Sequence, residues 1–183
     1  VMPMGRFGEN VVARFLRARG CSVLPIRDIE MGDVWKGPRI TGPEGMEVVS
    51  ADWLVMGPKG KSCWMEVKTK RHWTWHRNTA SWCTGIDQHY LDHYVIIARR
   101  SNIPVWLVFL HLDEVPSAAD LEGGAPPFCP TGLFGGEVMR LAEDVHHTHS
   151  NWGKGGMAYW ASSDLTRLAS SAEIETFLRE EAR

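Results

Sequence analysis

The chain has 183 residues, a formal net charge of −2, and 44% hydrophobic and 23% charged residues. That composition fits one globular α/β domain with room for a real core, and it excludes a globally basic nucleic-acid binder and a low-complexity chain. No apolar run is long enough to cross a membrane, and the first residues lack a signal-peptide pattern. Cys21, Cys63, Cys83 and Cys129 are widely spaced with no C-x-x-C. This spacing points to reduced thiols in a cytoplasm and away from a zinc ribbon or a clustered iron–sulfur centre.

Residues 5–19 predict a helix, with Phe7, Val11, Val12, Phe15 and Leu16 as its apolar stripe and Gly20 as its stop. Glu9 lies at the edge of that stripe rather than on the solvent face. Residues 21–26 predict a short strand that Pro25 ends or places at a sheet edge. Residues 27–47 form a Gly/Pro-rich connection in which Trp35, Lys36 and Arg39 are placed to touch nucleic acid or to pack over the core.

Residues 48–57 and 61–70 read as two strands joined by the turn Pro58-Lys59-Gly60. Side chains alternate along a strand, so Ser62, Trp64, Glu66, Lys68 and Lys70 share one face and Cys63, Met65, Val67 and Thr69 the other. A three-residue loop with Gly60 at positive φ sets Asp52 directly opposite Glu66. Opposed residues share a face with Cβ atoms about 5 Å apart. Two carboxylates so placed repel unless a cation sits between them, and carboxylates are hard donors suited to Mg²⁺. Lys68 stands beside them, able to orient an attacking water or to neutralise phosphate charge. The bland alternative is a solvated strand with scattered charges.

Residues 72–85 interleave Trp73, Trp75 and Trp82 with His72, His76 and Arg77. Aromatic and basic groups mixed in this way suit a substrate-facing loop that stacks bases and grips phosphates, although tryptophan also serves as packing. Lys59, Lys61, Lys68, Lys70, Arg71 and Arg77 make 59–77 a locally basic stretch against Glu66 alone. Thr84-Gly85-Ile86-Asp87 has capping-box form and predicts a helix from there to about residue 100, with Gln88 just inside its start. Residues 103–111 form a continuous apolar run, read as a central strand buried on both faces. Residues 112–136 read as loop, 137–145 and 157–161 as added strands, Ser162-Ser163-Asp164 as the lead into a short Leu-rich turn, and 172–183 as a helix packing through Ile174, Phe177 and Leu178. His146, His147 and His149 invite a zinc reading, although no Cys or carboxylate completes a familiar ligand spacing.

The order helix, strand, hairpin, helix, strand, with Asp52 on one arm and Glu66-Val67-Lys68 on the other, resembles the PD-(D/E)XK nuclease superfamily. Ala51 stands where the motif's proline is usual. The resemblance covers residues 6–111 and implies a restriction-endonuclease-like αβββαβ core, a mixed central sheet flanked by helices. On this reading residues 1–183 form a single nuclease domain, with its core at about 5–111 and C-terminal additions from 112. The resemblance also implies hydrolysis of DNA phosphodiester bonds, with Mg²⁺ (or Mn²⁺ in its place) held by Asp52, Glu66 and the Val67 carbonyl. Glu9, in its Gly-Glu context, completes the metal site or is an ordinary boundary glutamate paired with an arginine. By resemblance Lys68 positions the nucleophilic water and Gln88 holds the phosphate, although the tyrosine that follows such a glutamine in the RecB-like branch is not in register here. Lys59, Lys61, Lys70, Arg71, Trp73, Trp75, His76 and Arg77 would line the DNA path. Products would carry a 5′-phosphate and a 3′-hydroxyl. Holliday junction resolvases and nucleases of recombination, repair and restriction share this site, and a resolvase, cutting two strands symmetrically, suits a homodimer. The rivals are a catalytically silent nucleic-acid-binding module of the same fold and, more distantly, a zinc hydrolase.

Overall fold

The computed structural model describes residues 3–26, 39–153 and 155–181. Helix α1, Met4–Ala18, buries Val11, Val12 and Phe15. It ends where Gly20 takes a φ of 80°, in a region that costs other residues about 1–2 kcal/mol. A β-carbon at Gly8 would stand 1.7 Å from Thr69 Oγ1, so the helix lies as close to the sheet as a bare backbone allows. Strand β1, Ser22–Pro25, is a sheet edge, where Pro25 deprives no neighbour of a hydrogen bond. The stretch expected to be irregular contains a small hairpin, β2 (Arg39–Thr41) with β3 (Glu47–Val49). Trp35, Lys36 and the side chain of Arg39 lie outside the described residues.

Strand β4 is Trp53–Met56 and β5 is Ser62–Lys70. The first arm of the hairpin is therefore not continuous from residue 48. Ser50-Ala51-Asp52 carries the chain from the β2–β3 hairpin into the main sheet, with Ser50 and Ala51 buried and the Asp52 carbonyl accepting from Ile26 N–H at 2.9 Å. Trp53 pairs with Met65 and Met56 with Ser62. Gly57 N–H donates to the Lys61 carbonyl at 2.8 Å, and Gly60 has φ 76°. The loop is thus the three-residue turn expected, and its register carries Asp52 to the level of Glu66.

The chain continues through β6 (Thr74–His76), β7 (Ser81–Asp87), α2 (Gln88–Ser101) and β8 (Val105–His111). After these come α3 (Ala118–Glu122), β9 (Gly132–Glu137), α4 (Val138–Glu143), β10 (His147–His149), β11 (Met157–Ala161), β12 (Thr166–Ser170) and α5 (Ser171–Glu181). The result is a mixed α/β fold. A six-stranded sheet in the order β1-β4-β5-β8-β9-β12 has one parallel pair, β5 with β8, at its centre. On one face Met65, Val67, Val108 and Leu110 meet α1 and Ile174 of α5. On the other, Leu107 and Phe109 meet α2, α4 and a second, four-stranded antiparallel sheet, β10-β11-β7-β6. This is the mixed sheet flanked by helices that the resemblance implies.

Several local expectations are corrected. Thr84 to Asp87 is not a capping box but the end of β7, and α2 begins at Gln88 with Asp87 as an N-cap that makes no side-chain bond. Pairing of β7 with β11 down to Asp87 opposite Met157 overrides the local signal. Residues 74–87 are a hairpin rather than a loop. Residues 138–143 are helical, not extended, because the Glu137 side chain accepts from Met139 and Arg140 N–H, both at 3.2 Å. The segment after 112 adds β9 and β12 to the main sheet, and β12 lies where a turn was expected.

Candidate active site

Strand β4 starts at Trp53, opposite Met65, so β5 runs on past it with no β4 residue paired to it, and the site forms in that gap. Asp52 N–H donates to Glu66 Oε2 at 3.2 Å. Val67 N–H donates to Asp52 Oδ2 at 2.9 Å. N–H and C=O of one strand residue point to the same side, so the Val67 carbonyl also faces the gap ahead of the start of β4. Lys68 Nζ hydrogen-bonds and ion-pairs with Glu66 Oε1, and it lies 5.4 Å from the centre of the Tyr90 ring. Glu66 is 4% exposed. The Tyr94 phenol, itself buried, hydrogen-bonds to it from α2.

Charge is crowded in this gap. Burial, and next the neighbouring Glu66, push Asp52 up to about 8, against the opposing pull of Val67 N–H and Lys68. Glu9 on α1 adds to that rise, so its charge is felt at Asp52. Even so, the three carboxylates do not close into one tight ligand cluster. Burial disfavours the Lys68 ammonium, but the charge and hydrogen bond of Glu66 outweigh it and raise its pKa. Tyr94 is raised well above its usual value by burial and Glu66, and so stays a donor. Lys70, on the same face, is lowered by burial and by Lys68. Two carboxyl groups that disfavour each other's ionisation, with a backbone carbonyl beside them, form an all-oxygen donor set. That set fits a hard dication.

Other candidates fall elsewhere. Gln88 turns along its own helix, its amide donating to Asp92 Oδ1 at 3.0 Å, away from Glu66. Lys61 directly precedes the far end of β5, roughly 17 Å along the chain from Glu66. It lines an apolar groove with Arg19 on the α1 side, and Lys59 is farther still. Trp73 is core: 1% exposed, stacked on His111 at 3.8 Å, with its indole N–H donating to the Pro130 carbonyl at 2.6 Å. Trp75 packs edge-on against Trp82 at 4.9 Å. Arg77 lies over Gly123 at the end of α3, and Arg71 is exposed beside the site strand. The imidazoles that gather are His76, His146 and His147, whereas His149 turns to Trp152. Tyr90 and Tyr94, four residues apart and so on one side of α2, both meet the site strand.

No protein-family model matches the chain, and no curated protein matches it. Two solved structures align along nearly all of it. One is a Holliday junction resolvase from the archaeal hyperthermophile Archaeoglobus fulgidus, at 10% identity and a TM-score of 0.48, covering 94% of this chain and 97% of that one. The other is a nuclease from a fusselovirus, at 13% identity and a TM-score of 0.45, covering 100% of this chain and 96% of that one. No described helix is long and apolar enough to cross a membrane, and all four cysteines are free.

Proposed function

We propose that this protein is a metal-dependent nuclease of the PD-(D/E)XK type that hydrolyses phosphodiester bonds in DNA. The observation that carries the reading is the meeting of Asp52 and Glu66 across the hairpin with Lys68 on the same face. Asp52, Glu66 and the Val67 carbonyl would hold Mg²⁺, with Mn²⁺ able to replace it and Glu9 close enough to contribute charge. When bound, the dication lowers the pKa of a water and stabilises charge on the phosphoryl oxygens.

The protein's own groups do the rest. Val67 N–H fixes one Asp52 oxygen, and Asp52 N–H and Tyr94 fix the Glu66 carboxylate. Neither acid then has to reorganise as charge develops. Lys68, held protonated by Glu66, orients the attacking water and balances the phosphate. Lys70 and Arg71 continue the basic edge along which the backbone of DNA lies.

The test is cleavage of labelled linear duplex, single-stranded, flapped and four-way-junction DNA in Mg²⁺, Mn²⁺ or EDTA. Wild type, Asp52→Ala and Lys68→Ala are compared. Cation-dependent cutting lost in both variants supports the reading, and the preferred substrate assigns the subtype. Preference for four-way junctions would go with a homodimer, readable by light scattering. DNA binding without cutting of any substrate would favour a silent binding module.

A further inference from the structure

The second sheet has one face in the core and one outside. Trp75, Trp82, Ile86, Ala158 and Trp160 take the inner positions. By pairing register, His76 (opposite Ser81), Cys83, Tyr159 and His147 (opposite Tyr159) take the outer ones. His146 directly precedes β10 and is pinned there, its N–H donating to the Tyr159 carbonyl at 2.9 Å. Three imidazoles from two parts of the chain thus gather, with one ligand nitrogen of each within 4.8 Å of the others.

We propose that His76, His146 and His147 bind a divalent transition ion of the zinc type, at a site distinct from the carboxylates. Nδ1 of His146 and Nδ1 of His147 face each other at 2.8 Å. Two ring nitrogens so placed share a single proton, and an ion can take its place once His146 carries its proton on Nε2. Tetrahedral zinc with Zn–N of about 2.0–2.1 Å sets its nitrogens roughly 3.3–3.4 Å apart, an opening of about half an ångström. His76 has its Nδ1 on Thr79 Oγ1 at 2.7 Å, which leaves Nε2 to ligate and supplies the outer partner that metal-bound imidazoles ordinarily have. The His76 and His147 rings stack at 4.1 Å, so loading turns one of them about its soft Cβ–Cγ torsion.

The trio contains no carboxylate. Neutral nitrogen donors without hard oxygen favour Zn²⁺, Co²⁺, Ni²⁺ or Cu²⁺ over Mg²⁺. Three protein ligands leave a fourth position for water. The nearest thiol, Cys83 Sγ, is 4.0 Å from His146 Nδ1. The ion clips the β6–β7 hairpin to β10, joining segments far apart in sequence, so its chief effect is to stabilise the second sheet.

The experiment takes EDTA-dialysed full-length protein, titrates Zn²⁺ by calorimetry, and records the visible spectrum with Co²⁺. One tight site per chain is expected, separate from any weaker binding at the carboxylates, with a four-coordinate cobalt spectrum and a melting temperature about 5–10 °C higher at a hundredfold excess over Kd. His76→Asn, His146→Asn and His147→Asn should each weaken binding at least tenfold while keeping the native circular dichroism. His149→Asn and Asp52→Asn should bind zinc as wild type does. Absence of stoichiometric binding, binding that survives all three ligand changes, or equal loss in His149→Asn would overturn the proposal. Loss in Asp52→Asn alone would assign the ion to the carboxylates and equally refute it. None of these readouts depends on nuclease activity.

Discussion

Asp52→Asn should stabilise the metal-free protein, and the size of the gain should follow pH. The folded carboxyl is raised from 3.8 to about 8 by burial and by Glu66. Between those values the unfolded chain has released a proton that the folded chain retains, so stability falls as pH climbs from about 4 and levels off above about 8. At 1.36 kcal/mol per unit the full shift sets a ceiling of nearly 6 kcal/mol. Solvent access to a half-buried group and relaxation of Glu66 reduce this to about 2 kcal/mol. For a chain of this length that is a melting-temperature gap of roughly 4–8 °C. Asparagine keeps an oxygen to accept Val67 N–H, so packing is nearly unchanged. Thermal unfolding in EDTA from pH 4 to pH 9 reads the effect: no gap near pH 4, the full gap at pH 9, and closure of the gap when Mg²⁺ is supplied to the wild type. A constant gap at all pH values, or none at pH 9, would refute the claim that burial and Glu66 hold the Asp52 carboxyl in its neutral form.

Three further outcomes follow from the same geometry. Tyr94→Phe removes a hydrogen bond to a charged, buried Glu66, worth about 1.5–3 kcal/mol. Cleavage should drop about 10- to 100-fold with the fold intact, and an unchanged rate would show that the phenol does not position Glu66. Trp73→Phe keeps much of the packing but deletes the indole bond to Pro130. It should cost about 1–2 kcal/mol in chemical denaturation and leave DNA affinity alone; the reverse pattern would return Trp73 to the substrate surface. Lys59→Ala with Lys61→Ala should leave the salt dependence of DNA binding at wild type, whereas Arg71→Ala should reduce the slope of log K against log salt by about one. A shallower slope in the double variant would extend the DNA path to the hairpin tip.

What could be read in the sequence was what the chain decides locally. Asp52 and Glu66 are fourteen residues apart, and one three-residue turn with Gly60 at positive φ fixes their register. The apolar stripe of α1 and the run in β8 are equally self-contained. What could not be read depends on partners far along the chain. Thr84 to Asp87 satisfies the pattern of a helix start, yet β11 claims it as strand. Trp73 and Trp75 look like a binding loop until Pro130, His111 and Asp120 are brought against them. Gln88 has the right place in order, but the turn of α2 gives the site Tyr90 and Tyr94 instead. The split has a mechanical consequence. The reactive groups sit on a hairpin whose geometry closes on itself, braced from outside by Tyr94. The second sheet is held by long-range pairing and packs its inner Trp82, Ile86 and Trp160 into the same core as Tyr94, so it reaches the site through that brace and not through the register of the hairpin.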